Sequence, residues 1–266
     1  MNSIDGFKIG GAHCSLYKSS TFSWGSMYMY ERNQSELIIE CVHNYFYAFF
    51  GSSIDYQIDL NCDRLPQSLK NITSSRIGLS ENMTGEELEA CFTSSPSQKY
   101  IAILYKLNGK LCPDSVIYNT ENLYLNSTHI DVDDLLFRFR GKCLFLVERN
   151  VTDSNIIRFL NEWKSNRKFQ NMKFFSIFTH RRNRFDVAKV LYEADIKHLD
   201  PSETTLKLEW KQRTMSTIQD SSQWEHFTLE SRYYLIRNYD GEGASIEISS
   251  EHFRFSVWSA TEKSSN

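Results

Sequence analysis

The sequence predicts an α/β chain: a leucine-rich-repeat-like stack of strand-helix units, closed by a C-terminal antiparallel β-meander. Three observations predict it. A motif apolar-x-apolar-x-x-Asn recurs at intervals suited to such repeats. Two copies, "RIGLSENMTGEELEACF" from Arg76 and "LFLVERNVTDSNIIRFL" from Leu144, align at an offset of 68 and run strand, Asn, Thr, helix. The stretch "YLIRNYDGEGASIEISSEHFRFSVW", 234–258, alternates with the period of two that marks a half-buried sheet.

Residues 1–35 read as a β-rich segment, followed by a helix over "ELIIECVHNYFYAFF", 36–50. The repeat-like region spans 36–213. Its motif fits Tyr56-x-Ile58 with Asn61, Ile77-x-Leu79 with Asn82, Ile103-x-Tyr105 with Asn108 and Phe145-x-Val147 with Asn150. Looser copies are Leu123-x-Leu125 with Thr128, Phe175-x-Ile177 with His180 and Leu206-x-Leu208 with Lys211. In such repeats an Asn amide bonds backbone groups where the chain leaves the strand, so those groups are not left unpaired.

Thr84 and Glu87 form a capping box that starts a helix with Leu88, Cys91 and Phe92 on one face. Thr152 is the N-cap of a second helix, whose apolar stripe is Ile156, Phe159, Leu160 and Trp163. The polar stretch 214–223 is the plausible internal boundary, and 214–266 holds it with the meander. There Asp240-Gly241 supplies the turn, with Ile246, Ile248, Phe253, Phe255 and Val257 inward and Glu247, Arg254 and Ser256 outward.

The 266 residues are 41% hydrophobic, enough to bury a sizeable core. A formal charge of -3 gives no global positive field, so nucleic acid is not an expected partner. Six cysteines lie far apart with no Cys-x-x-Cys pair, which reads as reduced, mostly buried thiols. No apolar run is long enough to span a membrane and no signal peptide opens the chain, which points to the cytoplasm or nucleus and to no membrane partner.

Catalytic signatures are missing: there is no G-x-S-x-G elbow, Walker loop or H-E-x-x-H helix. Asp131, Asp133 and Asp134 lack the rest of a calcium loop and read as anions at a helix start. "HRRNR", 180–184, reads as a solvated loop, and His13-Cys14 as strand neighbours that point apart. The expectation is a non-enzymatic protein-binding chain with no cofactor or metal.

"DVDDLLFRFRGKCLFLVERNVTDSNIIRFLNEWKSNRKFQNMKFFSI" and "YYLIRNYDGEGASIEISSEHFRFSVW" together resemble the nematode F-box-associated domain. The matching positions are Leu135 and Leu136, Asn150 to Asp153, Phe159, Leu160 and Trp163, then Arg237, Asp240, Gly241, Ala244, Ile246, Phe253, Phe255, Val257 and Trp258. Departures are Ile157 in place of Asn, one extra residue before Asp-Gly, Ser245 in place of Thr, and "KSNRKF" after the Trp helix. The resemblance implies substrate recognition for a cullin-RING ubiquitin ligase, with docking to a Skp-type adaptor only if an F-box is supplied upstream. No F-box pattern is legible in residues 1–31. The alternative is a free-standing scaffold or inhibitor that binds a protein partner without a ligase.

In a repeat stack the residue between the two apolar strand positions faces away from the helices. The expected protein-binding residues are therefore Gln57, Gly78, Leu104, Tyr124, Leu146, Ser176 and Lys207. Leu104 and Leu146 are apolar there, which means either a contact surface or strands covered on both sides.

Overall fold

A computed structural model describes residues 3–9, 12–18, 26–30, 34–62, 66, 68–79, 84–104, 110–126, 131–147, 150–179, 184–213 and 224–258. Strands β1 (Ser3–Ile9), β2 (Ala12–Lys18) and β3 (Ser26–Tyr30) pair as a separate antiparallel sheet. Helix α1 (Ser35–Phe50) follows, within one residue of its predicted start.

Strand β4 (Tyr56–Cys62) comes next, and from β5 onward strand and helix alternate: β5 (Ile72–Leu79), α2 (Gly85–Phe92), β6 (Tyr100–Ile103), α3 (Val116–Asn119), β7 (Asn122–Asn126), α4 (Val132–Arg138), β8 (Cys143–Val147), α5 (Asp153–Lys164), β9 (Phe174–Phe178) and α6 (Val187–Glu193). The six strands β4 to β9 lie side by side in chain order, all parallel. This is the predicted repeat stack.

After α6 come β10 (Lys197–His198), β11 (Leu206–Arg213), β12 (Trp224–Ser231), β13 (Tyr233–Ile236), β14 (Gly243–Ile248) and β15 (His252–Val257). Strand β15 pairs antiparallel with β9, and β14, β13 and β10 continue outward, giving a ten-stranded mixed sheet with the meander as its closing cap. Strands β11 and β12 form their own antiparallel ribbon. The copy at Leu206-x-Leu208 is thus not a seventh unit of the stack. Its strand finds a nearby antiparallel partner, which forms with less loop closure than a further crossover.

One core runs the length of the sheet. Leu60, Ile77, Ile103, Leu125, Leu146 and Ile177 stand in register on one face. They share a cluster with Leu88 and Phe92 of α2, Ile117 of α3, Leu135 of α4, Phe159 and Trp163 of α5, Val190 of α6, and Ile246, Phe253 and Phe255 of the meander. The helices from α2 to α6 therefore cover this face.

The caps explain where the helices begin. The Thr84 amide donates to Glu87 and the Glu87 amide to the Thr84 hydroxyl. In α5 the partner is Asn155, whose Oδ1 accepts from both the amide and the hydroxyl of Thr152. Asp131 caps α4 by accepting from the Asp134 amide, and Asp134 binds Arg138 and Tyr118, so this acidic run is structural.

Among the described residues, Asn61 and Asn150 do not stand in one ladder. Asn61 sits inside β4 opposite Gly78, and Asn150 follows Val147 by three positions, so the two occupy no common place in the register. Asn82 and Asn108 lie outside the described residues, as does the boundary 214–223. Among the described residues, no helix is long and apolar enough to cross a membrane.

Candidate functional site

With one face of the parallel sheet under helices, alternation sends every second side chain to the other face. The central row there is Asp59, Arg76, Ala102, Tyr124, Phe145 and Ser176, continued by Arg254 and Glu247 of the meander. Gln57, Ser74, Tyr100, Asn122, Cys143 and Phe174 form a flanking row, offset by one at Tyr56 where the register shifts. Gly78, Asn126, Val147 and Phe178 stand on the other side.

The expected binding residues divide accordingly. Tyr124 and Ser176 are in the central row, Gln57 and Gly78 in the flanking rows. Leu104 follows β6, half-buried, its amide donating to the Ile77 carbonyl. Two expectations are corrected. Leu146 points into the helix-side core at 3% exposure, and its neighbour Phe145 takes the outer position. "CLFLV" is apolar throughout, so alternation alone has no frame there, and pairing with Leu125 and Ile177 decides it. Lys207 is exposed on the β11–β12 ribbon opposite Glu230, on a strand that is not part of the large sheet.

Charge marks both ends of the central row. Arg76 Nη1 lies 3.3 Å from Asp59 Oδ2 on half-exposed side chains. Arg254 Nη1 is likewise 3.3 Å from Glu247 Oε2. Between them the rings of Tyr124, Phe145 and Phe174 are stacked, with centroids 6.5 and 5.0 Å apart. Phe145 and Phe174 keep only 7% and 1% of their surface and form, with Cys143, a second small cluster. Phe145 and Phe174 are therefore packed against each other and their neighbours, while Tyr124 and the charged ends stay partly accessible. Sequence reading missed Arg76, Asp59, Arg254 and Glu247 as a set. The available signal was a charged residue at alternate positions of otherwise apolar strands.

One constellation has the elements of a nucleophilic triad. Ser249 Oγ is 2.7 Å from His252 Nδ1, and His252 Nε2 is 2.9 Å from Glu247 Oε1. The Ser249 oxygen, however, accepts hydrogen bonds from the Glu251 and His252 amides, the pattern of a serine that closes its own turn. Those bonds occupy the lone pairs that would attack. A small cleft lies elsewhere between α4 and α5, lined by Asp133, Phe137, Arg158 and Lys168 among others.

Among the described residues, no three His, Cys, Asp or Glu side chains are grouped to hold a metal ion. Arg184 is exposed, and His180 to Asn183 lie outside the described residues. His13 and Cys14 are consecutive in β2. Comparison with protein-family models, curated proteins and solved structures found no match to this chain.

Proposed function

We propose that this chain is a protein-recognition module without chemistry of its own. It holds its partner across the face of the parallel sheet that the helices leave open, as the resemblance to the F-box-associated domain implies for a substrate of a cullin-RING ligase. The observation that carries the reading is the central row itself. Two ion pairs, Arg76–Asp59 and Arg254–Glu247, frame a stacked aromatic middle on a rigid sheet. The accessible charges and the half-exposed Tyr124 supply the contacts, and the buried Phe145 and Phe174 hold them in place.

The test is charge reversal on that row. Arg76→Glu combined with Arg254→Glu is expected to abolish binding of partners recovered by proximity labelling, while Lys207→Glu on the ribbon leaves binding intact. Partners retained equally by both variants would sink the reading.

One observation favours the scaffold or inhibitor reading. Ser3–Ile9, Ala12–Lys18 and Ser26–Tyr30 pair as an antiparallel sheet ahead of α1, so these residues are not themselves a helical F-box. Co-purification of a Skp-type adaptor with this chain supports the ligase reading. Partner binding without adaptor supports the other.

A further inference from the structure

Helix α1 has one broad apolar face, buried in its first half and exposed in its second. Toward its start Ile38 and His43 are buried and Ile39 packs on the main core. Toward its end Val42, Tyr45, Phe46, Phe49 and Phe50 form a stripe that faces water and is continued by Ile54. Tyr45 and Phe49 are 70% and 76% exposed.

The size of this patch is informative. Its four rings leave rather more than two whole aromatic side chains in solvent, about 500 Å². The half-exposed Val42 and Ile54 carry it to the top of the ~300–600 Å² of a typical monomer's largest patch. It approaches the ~800 Å² that each partner of a stable dimer contributes.

Its position and charge say what covers it. The end of α1 meets Tyr56 at the start of β4, whose hydroxyl donates to the Phe46 and Gly51 carbonyls, and among the described residues β4 is the terminal strand of the ten-stranded sheet. Solenoid ends ordinarily carry a polar cap, and exposed edges are guarded by Lys or Pro. β4, "YQIDLNC", has neither, and α1 presents rings where a polar cap would stand.

From Cys41 to Ile54 the chain contains no Asp, Glu, Lys or Arg. A patch without charge can face itself across a two-fold axis without like-charge repulsion, and offers nothing to a charged partner. Its rings are already arranged, Phe46 stacked on Phe50 at 6.4 Å and Phe49 edge-on to Phe50 at 5.0 Å. Little side-chain freedom is then lost on docking.

We infer that the α1 stripe is the interface of a two-fold symmetric dimer of this chain. The inference is independent of what the sheet face binds. Sedimentation equilibrium of the full chain should give twice the 31.2 kDa chain mass. Tyr45→Asp with Phe49→Asp should raise the dimer dissociation constant by at least about 30-fold, since central aromatic anchors dominate such interfaces. Both side chains are exposed, so the circular dichroism spectrum should be unchanged; if the double variant fails to fold, Phe49→Ser serves in its place. A chain that stays at 31.2 kDa up to about 100 μM, far above the Kd range of stable complexes, overturns the inference. So does a dimer whose dissociation constant these substitutions leave alone, or a monomer whose stripe is covered by a different protein.

Discussion

The guanidinium of Arg237 lies 5.2 Å from the centre of the Trp163 ring, which joins the helix of one repeat unit to the turn of the closing meander. Arg237 Nε and Nη2 grip the two carboxylate oxygens of Asp240 at 3.0 and 2.5 Å, and Glu242 adds a second ion pair. A buried arginine is tolerated only with such pairing. Trp163 is fully buried and meets Phe255 edge-on at 5.0 Å, beside the contacts of Phe159 with Phe253 and Phe255, so aromatic rings join helix α5 to strand β15.

Trp163→Ala should therefore cost about 3–5 kcal/mol, the range for removing a large buried aromatic. Urea denaturation measures it. An unchanged midpoint would mean that α5 and the meander do not depend on this contact.

Gly243→Ala should destabilise by roughly 1–3 kcal/mol through overpacking. A β-carbon at Gly243 would stand 2.1 Å from Cε3 of the Trp258 indole, which is held by a hydrogen bond from its Nε1 to Ser245. Near-ultraviolet circular dichroism and the thermal midpoint should change together. A midpoint equal to that of the native chain would show that the indole moves aside freely.

Glu89→Gln should stabilise the protein at neutral pH. Burial pushes the Glu89 carboxyl above the usual carboxylate range, against the hydrogen bonds from Ser115 and the Val116 amide. The folded state thus holds its proton more tightly than the unfolded chain, and stability falls as pH rises through the folded-state pKa. The difference between variant and native melting temperatures should shrink below the ordinary carboxylate pKa. A difference that does not change with pH contradicts the assignment.

Acid should loosen α1 through His43. Burial lowers its pKa, and its Nε2 accepts the Lys70 amide hydrogen at 3.0 Å, a bond that only the neutral ring can receive. The folded-state pKa lies below the unfolded value, so the contribution is complete above the ordinary histidine pKa and is lost as pH falls through the folded one. The protection factor of the Lys70 amide, its exchange corrected for the intrinsic pH dependence, should fall between about pH 7 and 5. A protection factor that does not change over this window would exclude His43 as its protector.

Helices were legible in the sequence where capping chemistry and an apolar stripe coincide. Thr84 with Glu87 and Thr152 ahead of Ile156 and Trp163 both mark real helix starts. The meander was legible from its alternation and from Asp240-Gly241, where Gly241 takes the positive φ of 71° that the turn demands. The candidate site was only half legible. Tyr124 and Ser176 could be placed, whereas Phe145 could not be told from Leu146 inside an all-apolar strand.

What the sequence determined by itself was local: strand followed by helix, the places where helices start, and which residues share a face. The tertiary structure alone decided which face that is, that Leu206 to Arg213 joins a separate ribbon, and that Arg237 meets Trp163. The physical reason is that a period of two groups side chains without orienting them. Orientation and register come from the neighbouring strands, and the ladder from Leu60 through Leu146 to Ile177 exists only when all of them are in place.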